Sequence, residues 1–198
     1  FGLDEFHSGE ITIKNEKVNI KNVKSSIDKK MVMLSEDRRR FGIIPIRSVK
    51  ENVSLSSLKK FIHGGRLHVD EEDKAVAEFC SKMNVKTPSY DTSIESLSGG
   101  NQQKVVLAKW MVTDPDILIM DEPTRGIDVG AKHEIYKLMT MLAKQGKALI
   151  MVSSELPELI MMCDRIYVMA KGEITGMLTR DEFTQEKIMA YATATKSQ

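Results

Sequence analysis

A short apolar run that ends in two carboxylates is the first feature of this sequence that could do chemistry. Residues 117–120 are apolar, and Asp121 and Glu122 follow them directly. A carboxylate at the carboxyl end of a buried strand lies where ligands bind in open α/β sheets. One carboxylate can hold a Mg²⁺ ion and its neighbour can orient or deprotonate a water molecule. The alternative is a chance strand that runs into an acidic turn.

A serine followed by two glycines is the second such feature. Ser98, Gly99 and Gly100 open a predicted helix that continues through Val105 and Trp110. The free N–H groups of a first helical turn point outward, glycine lets an anion approach closely, and the serine hydroxyl adds a donor. The segment therefore predicts a phosphate site. The alternative is a serine N-cap with a flexible glycine entry, which requires no ligand.

Composition excludes several other classes of function. The 29 basic and 28 acidic residues give a net charge of +1, and nucleic-acid partners usually demand a clear basic excess. No apolar run approaches the roughly 18 residues that span a bilayer. Cys80 and Cys163 are isolated thiols, and the four histidines lack metal-ligand spacing. These features predict a soluble intracellular domain with no nucleic-acid partner.

The elements that must position these residues alternate between strands and helices. Apolar periodicity and turn residues predict the following strands: a hairpin over 10–20 with its turn at 15–17, buried strands at 31–34, 117–120 and 148–152, and a hairpin over 165–178 around Lys171-Gly172. Capping boxes at Ser48–Glu51 and Thr179–Glu182 predict helix starts, and further helices are predicted at 70–84 and 130–145. The alternation predicts an α/β core with helices on both faces of a mostly parallel sheet.

The order and spacing of three motifs resemble the signature, Walker B and D-loop series of ABC ATPases. The motifs are Leu97-Ser98-Gly99-Gly100, Asp121-Glu122-Pro123-Thr124 and Gly126-Ile127-Asp128. The resemblance covers essentially the whole chain. It implies a P-loop NTPase-like fold in which residues 1–198 are one ABC ATPase domain and residues 48–112 are its helical subdomain.

The residues that extend these motifs resemble the C-terminal half of monosaccharide-import ATPases, which carry two such domains in one chain. They are Asn101-Gln102-Gln103-Lys104 and Arg125-Gly126-Ile127-Asp128-Val129-Gly130-Ala131-Lys132. Those ATPases serve ribose, galactose or methyl galactoside, xylose and arabinose. Lys86-Thr87-Pro88 favours the galactoside members and Thr184-Gln185-Glu186 favours ribose, so the sequence does not name the sugar.

Three departures from the family pattern affect the hydrolytic face. No G-x-x-x-x-G-K-[ST] motif is present, so we expect a domain that lacks its N-terminal strands and P-loop and is inactive by itself. Ser154 stands where the family's switch histidine is expected, and it carries no positive charge. Glu36 follows Ser35 where the Q-loop glutamine is expected. The resemblance thus implies a degenerate hydrolytic face beside a nearly standard signature face.

The resemblance also implies a role for each site residue. Ser98, Gly99, Gly100 and Gln102 would bind the γ-phosphate of an ATP molecule held by a second nucleotide-binding domain. Asp121 would coordinate Mg²⁺ and Asp128 would link the two ATP sites. Glu122 and Ser154 would be the catalytic residues of this domain's own site, with Glu122 either a slow base or a structural carboxylate at a silent site. The segment 38–40 (Arg-Arg-Arg) is either a solvated face or a contact with membrane subunits.

The implied partners are a second nucleotide-binding domain, integral membrane permease subunits and, indirectly, a sugar-binding protein, at the cytoplasmic face of the cell membrane. One alternative is a non-hydrolysing half that completes and regulates its partner's site. A DNA-repair or chromosome-maintenance ATPase is another, although the long heptad coils of those proteins are missing from this sequence. The ATPase of a related nucleoside importer is a third, although its Asp-Glu pair would be expected to be eroded.

Overall fold

The computed structural model describes residues 1–4 and 7–193 of the chain. The chain divides into two compact units, Phe1–Val152 and a second unit that begins at Ser153. The strands of the first unit are β1 (Ile11–Ile13), β2 (Glu16–Val18), β3 (Met31–Leu34), β4 (Ile62–His63), β5 (Arg66–Leu67), β6 (Ile117–Asp121) and β7 (Ala148–Val152). Its helices are α1 (Val23–Asp28), α2 (Val49–Ser54), α3 (Val69–Lys82), α4 (Gly99–Met111) and α5 (Val129–Lys144).

A three-stranded parallel sheet in the order β3-β6-β7 is the centre of the first unit. The register pairs Leu34 with Met120, and Asp121 with Val152, so the strands end together at one edge. Leu118 and Met120 of the central strand are fully buried. Parallel strands connected by helices confirm the predicted α/β class.

The prediction that β7 is buried was wrong. Within the described residues β7 pairs only with β6, and Ile150 and Val152 remain 52% and 51% exposed. An apolar run of five residues has the same composition in a central strand and in an edge strand, so the sequence could not separate the two.

The hairpin of β1 and β2 turns one residue earlier than predicted. Lys14 and Asn15 both have positive φ, as a two-residue type I′ turn requires, and Glu16 already pairs with Ile13. Asn15 tolerates this conformation well, which fixes the turn at 14–15 and moves the second strand to Glu16–Val18.

Residues 48–112 form a mainly helical block. The Ser48–Glu51 capping box is present in both directions and starts α2. A 3₁₀ turn, Leu55–Phe61, extends α2 and ends at the small hairpin of β4 and β5. α4 is the central helix of the block, because it packs against α2, α3, α5 and β3.

The side chain of Lys109 is buried within this block. Its ammonium group donates to the carbonyl of Gly42 and lies 5.0 Å from the ring of Trp110. Burial lowers the pKa of the Lys109 ammonium from its ordinary 10.5 to about 8. Folding therefore opposes the charged form of this lysine.

We expect the stability of the protein to rise with pH because of Lys109. Between about pH 8 and 10.5 the unfolded chain holds this proton and the folded chain releases it, so stability increases as the pH rises through that window. Relative to a Lys109→Met variant, the native protein should gain about 2 kcal/mol of unfolding free energy between pH 7.5 and 9.5. Urea denaturation at the two pH values measures this. A Lys59→Met variant, which loses an exposed lysine, should show the same pH dependence of the unfolding free energy as the native protein. If Lys109→Met also shows the native pH dependence, the assignment to Lys109 is wrong.

The second unit is a hairpin packed on two helices. Its elements are α6 (Leu156–Met162), β8 (Arg165–Ala170), β9 (Glu173–Thr179) and α7 (Gln185–Thr193). The predicted hairpin is confirmed, with Lys171 and Gly172 at positive φ in its turn. Its core consists of Ile166, Val168, Leu178 and Ile188.

The Thr179–Glu182 capping box forms, but it does not start the last helix. The capping box starts a short 3₁₀ turn, Arg180–Glu182, and the next residue, Phe183, is extended. Thr184 Oγ1 instead accepts from the N–H of Lys187, so Thr184 caps α7. A capping box specifies that a turn begins, and the length of the helix depends on the residues that follow. None of the described helices is long and apolar enough to cross a membrane.

Candidate phosphate-binding and metal-binding site

The Ser98 hydroxyl caps the N-terminus of α4. Ser98 has extended backbone geometry, and its Oγ accepts from the backbone N–H and the side-chain amide of Asn101 at 3.4 and 3.1 Å. Ser98 itself is exposed and Gly99 is half-buried. The first turn of α4 thus presents N–H groups and the positive end of the helix dipole beside an exposed hydroxyl, which is the arrangement that binds phosphate.

Close packing requires glycine at both of these positions. A Cβ on Gly99 would lie 2.5 Å from Nη2 of Arg38 and 3.2 Å from the carbonyl oxygen of Gly126. A Cβ on Gly100 would lie 2.5 Å from the Cβ of Ala131 at the start of α5. Only glycine lets Arg38 and α5 approach the first turn of α4 this closely.

The turn between β6 and α5 lies against the same end of α4. Asp128 caps α5, with its Oδ1 accepting from the N–H of Ala131 at 2.9 Å. Gly126 has a φ of 67°, which is the left-handed conformation that glycine adopts without strain. Asp128 is exposed. The structure therefore brings the predicted signature residues and Asp128 to neighbouring helix N-termini.

Asp121 and Glu122 lie at the carboxyl end of β6, as predicted. Burial, and then the charge of Glu122, raise the pKa of the Asp121 carboxyl above its ordinary value. Glu122 has a φ of 46° and donates its N–H to the carbonyl of Val152 at 2.9 Å. A non-glycine residue in this conformation costs free energy, and such strain is common at functional sites.

This pair of carboxylates fits a magnesium ion. A divalent cation would offset the burial and the repulsion by Glu122, which together raise the pKa of Asp121, and carboxylate oxygens are ligands that Mg²⁺ prefers. In residues 1–4 and 7–193 there is no group of three or more His, Cys, Asp or Glu side chains that could hold a metal ion without other ligands. Phosphate oxygens and water would therefore complete the shell, as is usual for Mg²⁺.

Ser154 belongs to the second unit and follows β7 by two residues. It is exposed. Its neighbour Ser153 donates to Glu158 Oε2 at 2.6 Å and accepts from the N–H of Glu155 at 3.0 Å, which fixes the entry to α6.

The side chain of Gln102, which is predicted to bind phosphate, is buried in the structure. It is only 2% exposed, and its amide group donates to the carbonyls of Ile94 and Leu97 at 3.3 and 3.1 Å. Gln102 therefore holds the segment that leads into Ser98 and does not present its amide to solvent. The helical period places Gln102 toward the core of the block, a feature that depends on tertiary packing.

Arg38 and Asn101 are site residues that the sequence reasoning did not assign. Asn101 accepts from the N–H of Lys86 at 2.8 Å and donates to Ser98, so it connects the loop before α4 to the cap. Arg38 donates to the carbonyls of Arg125 and Gly126. No spacing rule identifies either contact, because both cross between segments that are far apart in sequence.

Comparison with known proteins assigns the chain to a family. A family model described as ABC transporter matches residues 1–125. The chain belongs to the ABC transporter family.

Two curated relatives are similar over nearly the whole chain. The ribose import ATP-binding protein RbsA of Clostridium tetani is 48% identical over 195 residues, which are 98% of this chain and 39% of the relative. A putative ribose/galactose/methyl galactoside import ATP-binding protein of Halalkalibacterium halodurans is 49% identical over 193 residues, which are 98% of this chain and 37% of the relative. The chain therefore spans less than half the length of the relatives that it matches.

A solved structure shows the same fold. The chain matches cbiO1 from Clostridium perfringens, part of the ABC transporter complex cbiONQ, with a TM-score of 0.75 and 25% identity. The match covers 95% of this chain and 72% of cbiO1. The expected ABC ATPase fold is thus confirmed.

Proposed function

We propose that the chain is most of one ATP-binding domain of a simple-sugar importer, and that it supplies its signature segment to an ATP molecule held by a second domain. The observation that carries the proposal is the exposed N-terminus of α4, where Ser98 and Gly99 lie beside the Gly126 turn. The sugar-import names of the two relatives support the choice of substrate class. We further propose that residues 1–198 are one such domain, with residues 48–112 as its helical subdomain.

In this proposal the signature segment binds and orients phosphate. The Ser98 hydroxyl and the N–H groups of Gly99 and Gly100 donate to the γ-phosphate oxygens. Gln102 acts indirectly, because its amide holds the carbonyls of Ile94 and Leu97. Asp128 fixes the start of α5 and links this site to the one on its own domain.

The acidic edge of the sheet forms the domain's own site. Asp121 holds Mg²⁺, which neutralises charge on the phosphates. Glu122 orients a water molecule. Hydrolysis is slow in this proposal because Ser154, which carries no positive charge, stands at the sequence position where the family's switch histidine is expected. A second candidate function follows from that replacement: this half hydrolyses no ATP and only completes its partner's site.

The partners in this proposal are a second nucleotide-binding domain, membrane permease subunits and a sugar-binding protein. The ATP-binding domain lies at the cytoplasmic face of the cell membrane and is attached there through the permease. The sugar is a monosaccharide of the ribose or galactose type, because the relatives carry those names.

We expect the 198-residue chain by itself to bind Mg·ATP only weakly. It has no G-x-x-x-x-G-K-[ST] motif to provide the backbone cradle and the lysine that hold the β- and γ-phosphates. Isothermal titration calorimetry should therefore give no saturation at micromolar ATP. A single site of micromolar affinity would show that these residues hold a nucleotide without a P-loop.

Reconstitution of the full-length ATPase with its permease in lipid vesicles tests the proposed function. Addition of the sugar-binding protein loaded with ribose or galactose should stimulate ATP hydrolysis, with labelled sugar accumulating in the vesicles. ATP hydrolysis that no monosaccharide stimulates, with no sugar uptake, would contradict it.

A further inference from the structure

Arg38 connects three segments of the first unit. It lies in a single π-helical turn, Arg38–Gly42, that follows β3. Its Nη1 donates to the carbonyl of Arg125 at 2.9 Å, and its Nη2 donates to the carbonyl of Gly126 at 3.2 Å. A planar guanidinium that donates from two nitrogens to two successive carbonyls fixes the direction of the turn that carries them.

The same guanidinium lies against the first residue of α4. A Cβ on Gly99 would lie 2.5 Å from Nη2 of Arg38. The Gly126 carbonyl oxygen would lie 3.2 Å from the same Cβ, so Arg38 Nη2 lies beside both Gly99 and the Gly126 carbonyl. A change in its position would change the separation of the α4 N-terminus from the turn before Asp128.

The backbone around Arg38 is itself held in place. Asp37 accepts from the N–H groups of Arg39 and Arg40 at 3.0 and 3.1 Å, which caps the π-helical turn. Glu36 forms an ion pair with Arg125. Segment 36–38 therefore holds the turn at 125–126 through two independent side-chain contacts.

The charge of Arg38 also suits an anion at this place. Burial, and then the nearby charge of Arg39, lower the pKa of Arg38. Its Nε is buried and has no hydrogen-bond partner. A guanidinium at the positive end of α4 is unfavourable by itself, and an anion bound to Ser98 and Gly99 would offset that cost.

We propose that Arg38 is a positioning residue for ATP binding: it holds the Gly126 turn and the α4 N-terminus at the separation that receives the γ-phosphate. This inference rests on the proposed function. Arg38 acts through Gly99 and Gly126, while residues of the second domain, which holds that ATP molecule, carry the chemistry there. Loss of Arg38 should therefore weaken ATP binding more than it slows saturated turnover.

The experiment measures ATP hydrolysis against ATP concentration in the full-length protein reconstituted with its permease. In Arg38→Ala we expect the half-saturating ATP concentration to rise about tenfold, with saturated turnover within about threefold of the native value. Arg38→Lys keeps the charge but replaces two donor nitrogens in a fixed plane by one nitrogen on a flexible stem. It should therefore reproduce the two contacts only in part, and we expect about a threefold rise. Arg66→Ala removes an exposed arginine of β5 and should match the native protein.

A double-mutant cycle with Gly99→Ala tests the geometry directly. The new methyl group should raise the half-saturating ATP concentration less in the Arg38→Ala background, because the atom nearest to it has been removed. Equal effects in both backgrounds would overturn the proposal.

The remaining outcomes distinguish a failure of the role proposed for Arg38 from a failure of the proposed function. A merely structural role would lower saturated turnover and leave half-saturation unchanged, which would overturn the proposal for Arg38 alone. If the native protein is active and Arg38→Ala has the native half-saturating ATP concentration and turnover, the proposal for Arg38 is likewise overturned. A native protein without sugar-stimulated hydrolysis would overturn the proposed function and the role of Arg38 with it.

Discussion

Replacement of Gly99 by aspartate should abolish sugar uptake by the full-length transporter. The new Cβ would lie 2.5 Å from Nη2 of Arg38, so the guanidinium must move. The carboxylate would then pair with that guanidinium and occupy the anion position at the N-terminus of α4. Loss of one preorganised donor costs about 10²–10³ in rate, and an internal anion in the phosphate position should cost at least as much. Uptake of labelled sugar in cells with matched expression measures the effect.

Gly64→Asp is the matched control for this substitution. Gly64 also precedes a second glycine, and a Cβ there would meet no atom within 4 Å. Its φ of 60° is a conformation that aspartate tolerates. We expect near-native uptake from Gly64→Asp, so an equal loss in both variants would point to a folding defect and not to the phosphate site.

Replacement of Glu134 by alanine should be among the most destabilising changes of a partly exposed residue. The side chain of Lys104 is 2% exposed, and its ammonium group pairs with Glu134 and donates to the carbonyl of Asn84 at 3.0 Å. Without Glu134, a buried ammonium keeps only a carbonyl partner. Breaking a buried pair in this way costs about 3 kcal/mol of unfolding free energy. Urea denaturation of the chain measures it.

Lys104→Met should cost less than Glu134→Ala, although both remove the same pair. Methionine fills the buried volume, and the remaining Glu134 carboxylate is 35% exposed and lies 3.9 Å from Lys86. The Lys104→Met/Glu134→Ala double variant should recover most of the unfolding free energy that Glu134→Ala loses. Glu78→Ala, which breaks the exposed Lys82–Glu78 pair, should cost less than about 0.5 kcal/mol. Equal costs for Lys104→Met and Glu134→Ala would contradict this account of the buried charge.

The sequence predicted the elements whose signals are local. The bounds of β3 and β7, the cap of Ser98 on α4 and the hairpin of β8 and β9 are as expected. Each depends on residues that lie close together in the sequence, because capping, apolar runs and turn residues act locally. The order of the signature, Walker B and D-loop motifs then identified the fold.

The features that the sequence did not predict depend on contacts between distant segments. The burial of Gln102 depends on which face of α4 meets the rest of the block, and the exposure of β7 depends on its position in the sheet. Arg38 looked like one of three equivalent arginines, yet it alone of the three donates to the carbonyls of Arg125 and Gly126 in the described structure. The direction of a side chain within a π-helical turn depends on tertiary packing, which composition does not encode.

A comparison of Glu122→Gln with Gly99→Asp tests most directly the claim that this chain serves its partner's ATP site more than its own. Both variants are measured for uptake of labelled sugar in the full-length transporter at matched expression. We expect Glu122→Gln to retain much of the native uptake and Gly99→Asp to retain none. The reason is that Ser154, which carries no positive charge, stands at the sequence position where the family's switch histidine is expected. If Glu122→Gln is as inactive as Gly99→Asp, the site at Asp121 and Glu122 is itself catalytic, and the asymmetric role proposed for this domain is wrong.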